Sequence, residues 1–185
     1  MRYPSTSPAS RTGTFAAVAA IILAVPLSAC SKGAEKAYSV PHIVCGTKVN
    51  ADLMSPFLPP GKKISTQSLT PNDGTRRCRV IVDEKVALIF GQIWWGEKGS
   101  IADVASVHFR VTPENAAENG KYLYSETGAV AKTEECSTSK HPDQDLFTVI
   151  QVSAPDRENK SVMRRLIADY TENVEKSDAC AGDTP

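Results

Sequence analysis

Apolar and polar positions change period several times along this chain, and each change predicts an element. Between Asn50 and Phe57 the apolar residues Leu53, Met54 and Phe57 share one helical face. Asn50 is a suitable N-cap, Asp52 suits the positive first turn, and Leu58-Pro59-Pro60-Gly61 stops the helix. Extended runs follow at Ile64 to Leu69 and Arg76 to Asp83, with Pro71-Asn72-Asp73-Gly74 between them. Asp-Gly between two such runs predicts a hairpin. In the second run Cys78, Val80 and Val82 fall on one face, with Arg77, Arg79 and Ile81 on the other. Asp83-Glu84-Lys85 then turns the chain into Val86 to Trp95, apolar nearly throughout, the pattern of a central strand covered on much of both faces.

Ser100 to Arg110 fits two periods. A helix capped by Ser100 and bearing Ile101, Val104 and His108 is the favoured reading, although Val107 to Val111 also suits a strand. Asn119-Gly120 marks a turn before Lys121 to Ser125. Ala129 to Cys136 and Phe147 to Ser153 read as antiparallel partners across the polar loop Ser137 to Asp145. The last element is a helix from an Asp156 cap to about Lys176, with Val162, Met163, Leu166, Ile167, Tyr170 and Val174 in one stripe. The sum is an α+β fold: a twisted antiparallel sheet of about five or six strands, with a short N-terminal helix and a long amphipathic C-terminal helix packed on it.

Residues 1 to 29 stand apart from this pattern. Arg2 and Arg11 precede a 13-residue apolar run, Phe15 to Leu27, and no acidic residue occurs before Glu35. A spanning helix needs about 20 apolar residues, so the run reads as an export signal. Leu27-Ser28-Ala29-Cys30 closes it and resembles the lipobox of bacterial lipoproteins. That resemblance implies cleavage before Cys30, a diacylglyceryl group on its thiol, and attachment to the outer face of the cell membrane. Two acyl chains anchor stably where one binds marginally, at about 0.8 kcal/mol per buried methylene. Cys30 to Pro41 is then the lipidated residue and its tether, whose eleven residues after the cysteine span at most about 40 Å. Residues 42–185 form a single domain.

Without residues 1 to 29 the chain keeps 156 residues, 19 basic and 21 acidic, a charge near −2. No basic footprint points to nucleic acid. With Cys30 lipidated, Cys45, Cys78, Cys136 and Cys180 remain, an even number suited to an oxidising compartment. Three connectivities are open. Cys45–Cys78 with Cys136–Cys180 is favoured, because each joins the end of a predicted helical region to a predicted strand. No Cys-x-x-Cys pair occurs, which argues against zinc or a redox dithiol.

The order of features also resembles small actinobacterial lipoproteins of unknown function. It comprises the lipobox, the tether, Val44-Cys45-Gly46 before a helix, Leu58-Pro59-Pro60-Gly61 after it, and a sheet ending in Cys136. An amphipathic helix closed by Cys180 completes it. The similarity covers most of residues 27 to 180 and implies a surface location and an α+β domain; it brings no catalytic residues with it.

Candidate chemistry is sparse. His42, His108 and His141 lie far apart, and neither His-Glu-x-x-His nor Gly-x-Ser-x-Gly nor a phosphate-cradling Gly-rich loop is present. Asp143 and Asp145 beside His141 supply too few oxygens for calcium, and Glu134 and Glu135 point to opposite faces of a strand. No metal, cofactor or catalytic residue is expected, and the chain reads as a non-enzyme. The candidate binding residues are Trp94 and Trp95, which alternation sends to opposite faces, and a basic patch of Arg76, Arg77 and Arg79 with Lys62 and Lys63. The expected role is a membrane-anchored binding or interaction module of the cell envelope, with an unknown envelope protein or ligand as partner. Carriage of an apolar envelope ligand is the alternative, and a small envelope hydrolase a more distant one.

Overall fold

The hairpin signals close as expected. In the computed structural model, which describes residues 35–96, 98–107, 121–134, 136 and 138–180, a six-stranded sheet runs antiparallel throughout. Its strands are β3 (Ile64–Asn72), β4 (Thr75–Val82), β5 (Lys85–Gly96), β6 (Tyr122–Tyr124), β7 (Gly128–Lys132) and β8 (Gln144–Val152), in the order β3-β4-β5-β8-β7-β6. The two halves are therefore local meanders joined at β5 and β8, whose register runs from Leu88↔Val152 to Gly96↔Gln144. The Asp73-Gly74 turn closes at Asn72↔Thr75, where the Asn72 side chain accepts the Gly74 N–H at 3.1 Å. Pro71 lies where the β3 register shifts, on an edge strand that tolerates a missing N–H.

A two-stranded hairpin, β1 (Ile43–Val44) with β2 (Thr47–Lys48), precedes the sheet and was not predicted. Its central residues, Cys45 and Gly46, have φ of 48° and 90°, the left-handed pair that tight hairpins require. Helix α1 (Ala51–Met54) follows, capped by Asn50, whose side chain accepts the Asp52 and Leu53 N–H groups. It tightens into a 3-10 turn over Ser55–Phe57, where Pro56 supplies no N–H.

Helix α3 (Lys160–Glu175) crosses one face of the sheet. Its buried residues Val162, Met163, Leu166, Ile167, Tyr170 and Val174 pack on Val80, Leu88, Phe90, Ala129, Ala131, Leu146 and Ile150, with Met54, Phe57 and Leu58 filling the flank. Phe90 meets Tyr170 edge to face at 4.9 Å between ring centroids. Thr171 is also fully buried in the stripe and meets Thr148 of β8, oxygen to oxygen, at 2.6 Å. The cap is Asn159 rather than Asp156. Asp156 takes a left-handed φ of 55°, and the Asn159 side chain accepts the Val162 N–H at 3.0 Å.

The opposite face carries a smaller cluster of Ile93, Leu123, Val130, Phe147 and Val149 under α2 (Ile101–Ser106). Ser100 caps α2 in a reciprocal box with Asp103, which holds the Asp103 carboxyl below its ordinary pKa. The favoured helix thus forms from Ile101; His108 and the rest of the ambiguous run lie outside the described residues. Strand β7 stops at Lys132, short of the expected Cys136, because Thr133 turns both its N–H and its hydroxyl to the Leu146 carbonyl. Strand β8 begins at Gln144, earlier than Phe147, extended by pairing with Gly96.

Both favoured disulfides form: Cys45–Cys78 ties the β1–β2 hairpin to β4, and Cys136–Cys180 ties the chain after β7 to the turn after α3. Residues 36 to 40, expected as part of the tether, already lie against the domain. Lys36 donates to the Ser55 carbonyl and hydroxyl, Ala37 donates to Gly61, and Tyr38 packs on the main core and donates to the Pro59 carbonyl. Burial, helped by the nearby Arg157 charge, lowers the Lys36 pKa. None of the described helices is long and apolar enough to cross a membrane.

Candidate functional site

Helix α3 ends before β4 and β5 do. Beyond its last turn the sheet presents Arg76, Gln92 and Trp94, three residues that share the α3 face because alternate positions of a strand point the same way. Around them stand the β1–β2 hairpin, the Ser177–Ala179 turn held by Cys180, and the loop from Thr138 to His141. The walls enclose two adjoining clefts of about 320 and 220 Å³, both lined by Arg76, Gln92, Asp178 and Ala179. Lys48, Asn173 and Lys176 complete the larger; Asp73, Trp94, Lys140 and His141 complete the smaller.

Gln92 is the most informative residue here. It interrupts the apolar run of β5 and is only 8% exposed. Its amide nitrogen donates to the Thr47 hydroxyl at 3.2 Å, while its Oε1 is buried with no partner among the described residues. Buried polar groups are nearly always satisfied, and an orphan costs about 1 to 3 kcal/mol. Opposite it across the β4–β5 register stands Arg76, exposed and in no ion pair among the described residues. Beneath both lies Tyr170. Burial pushes its phenol pKa up, and the Gln92 amide and the Arg76 charge oppose that shift. Lys176 is engaged with Glu172 at 2.5 Å, which lowers the Glu172 pKa.

Trp94 stacks on His141, with ring centroids 4.6 Å apart and planes 12° from parallel; His141 Nδ1 meets Gln144 Oε1 at 2.6 Å. Trp95 points to the other face and packs beside the smaller cluster, so alternation separates the pair as expected and leaves each half-buried. The same alternation divides the expected basic patch. Arg76 faces the groove, whereas Arg77 and Arg79 point to the opposite face. Lys62 and Lys63 instead turn their backbone N–H groups to Asp83, at 2.9 to 3.0 Å, which lowers the Asp83 pKa. Asp145 pairs with Lys132 at 2.7 Å and Glu134 with Lys121 at 2.9 Å. The described residues hold no cluster of three or more His, Cys, Asp or Glu arranged for a metal ion.

Sequence reasoning named Arg76 and Trp94 and missed Gln92, Lys48, Asn173 and Asp178. The signal for Gln92 was present as the single amide in an otherwise apolar strand; the others are ordinary surface residues until the fold gathers them. No family model, curated protein or solved structure matches the chain.

Proposed function

We propose that the protein is an extracytoplasmic lipoprotein, anchored to the cell membrane through Cys30, that binds a polar envelope partner in the groove beyond α3. The observation that carries this reading is Gln92, whose side chain lines the cleft with a buried Oε1 that has no partner among the described residues, beside an Arg76 in no ion pair among them. A group held ready for a hydrogen bond that no described residue makes suits a ligand that makes it. The two disulfides suit an oxidising compartment. Because Lys36 is already docked, only the few residues after Cys30 separate lipid from domain, a span of at most about 20 Å. The domain then works close to the bilayer.

Apolar cargo is less favoured. The space between sheet and α3 is filled by Phe90, Tyr170, Leu166 and Ile150, and the clefts are lined mainly by polar side chains. One observation favours the hydrolase reading: His141, Asp73 and Asp178 line the same cleft. Turnover of an envelope ester or glycoside that disappears in His141→Ala would establish it.

The test is cross-linking of the native protein in intact cells, followed by mass spectrometry of what it captures. A partner lost on Arg76→Gln is expected; capture unchanged by that substitution would remove the groove from the reading. Cys30→Ala should release the protein from membranes, and full membrane retention would remove the anchor.

A further inference from the structure

We infer that the groove's ligand is a hydroxy-carboxylate of sugar-acid size, its carboxylate on Arg76 and a neighbouring hydroxyl on Gln92. The inference deepens the binding-module reading and rests on it.

Three properties of the site lead there. First, Arg76 offers a planar fork of donors with no acidic partner among the described residues, and such a fork matches a carboxylate bidentately. Second, Gln92 stands directly across the strand pair from Arg76, so the two side chains leave backbone positions about 5 Å apart. One small molecule therefore meets both. Third, the Thr47 hydroxyl can donate or accept, so the Gln92 amide can turn either its oxygen or its nitrogen into the groove. A hydroxyl satisfies either orientation, because it donates and accepts; an ammonium or a bare carboxylate satisfies only one.

The surroundings narrow the chemistry further. Asp73 and Asp178 share the walls with Lys48, Lys140 and Lys176, and such a mixture of both signs suits further hydroxyls on the ligand. Recognition here comes from side chains of inner strands, not from a free sheet edge, so an extended peptide adding a strand has no place to pair. The combined clefts fall at the lower end of the usual size of small-molecule sites, roughly 300 to 1,000 Å³. Trp94 beside the cleft supplies an optical reporter.

The experiment titrates the purified full chain, in detergent micelles at low salt, with D-glucuronate, D-glucose and acetate. Binding is read by calorimetry and tryptophan emission. Glucuronate should bind at least tenfold more tightly than glucose, which lacks the carboxylate, and than acetate, which lacks the hydroxyl. Arg76→Gln and Gln92→Leu should each lose tenfold or more, and Arg165→Gln, which removes the same charge from the exposed side of α3, should change nothing. Gln92→Leu also removes the bond to the Thr47 hydroxyl, so a melting temperature is taken for that variant and its binding is read below it. If that variant does not fold, the exposed Arg76 still decides the matter. Glucose or acetate binding as well as glucuronate, no binding of any probe, or equal losses in Arg76→Gln and Arg165→Gln would each overturn the inference. A failed titration alongside specific capture in cells sinks the ligand class alone; failure of both sinks the binding module as well.

Discussion

The hydroxyl pair Thr148–Thr171 makes a prediction whose sign depends on which partners are removed. Both residues are fully buried, with their oxygens 2.6 Å apart, and the Thr171 hydroxyl donates to the Ile167 carbonyl at 2.7 Å. That donation uses the only proton Thr171 has, so Thr148 must donate to Thr171. Thr171→Val then strands the Thr148 proton in the core and should cost about 1 to 3 kcal/mol. Thr148→Val removes one bond but strands no donor, so about 0.5 to 1.5 kcal/mol is expected. The double variant replaces both partners with groups of the same shape and should be close to neutral. The coupling therefore opposes the summed single losses by about 1.5 to 4.5 kcal/mol. Urea unfolding of the oxidised protein by circular dichroism, with unchanged m, measures all three. A double variant that loses as much as the two singles together would refute the donor assignment.

Three further outcomes follow from local geometry. Gly61→Ala should destabilise by about 1 to 3 kcal/mol, because its new methyl would lie 2.5 Å from Val82 Cγ1 and 2.8 Å from Asp83 Oδ2; an unchanged urea midpoint would show that the turn yields. Asp83 has a folded pKa below 3.8, so its contribution is present above that value and fades as pH falls through the folded one. Asp83→Asn should therefore flatten the acid limb of the stability–pH curve below about pH 4, and an identical acid limb would dismiss the Lys62 and Lys63 amides as its cause. Removing either disulfide as a double serine variant should cost about 4 kcal/mol in the chain-entropy model, given separations of 33 and 44 residues; a loss below about 1 kcal/mol in a urea melt would refute that estimate.

Much of the fold was legible because single elements announced themselves. The nearly continuous apolar run of β5 required cover on both faces, and Leu88 and Phe90 do meet α3 while Ile93 meets the α2 cluster. The cysteine pairing read correctly, although only Cys78 lies in a strand; Cys45 sits in the β1–β2 turn, Cys136 beyond β7 and Cys180 in the turn after α3. Asp156 and Asn159 are equally good caps by composition; only the left-handed turn at Asp156 separates them. The β1–β2 hairpin stayed hidden because its strands have two residues each and its turn places Cys45 where Asn or Gly is expected. The groove was the least legible feature. Its walls come from residues 45–48, 73–76, 92–94, 138–141 and 173–179, and no local pattern links them before the β4–β5 register is known.

The sheet order has a consequence for the chain's covalent integrity. Cys45–Cys78 closes within the chain up to β5 and Cys136–Cys180 within the chain after β7, so neither disulfide links the part ending in β5 to the part carrying β8. A single peptide-bond cut between residues 97 and 120 would leave two separate, individually cross-linked polypeptides. What would hold them together is the β5–β8 ladder and the helix packed across it. The protein is in that sense two complementary halves meeting at one seam. Arg76, Gln92 and Trp94 belong to the first half, and His141, Asn173 and Asp178 to the second, so the groove exists only when the halves are joined.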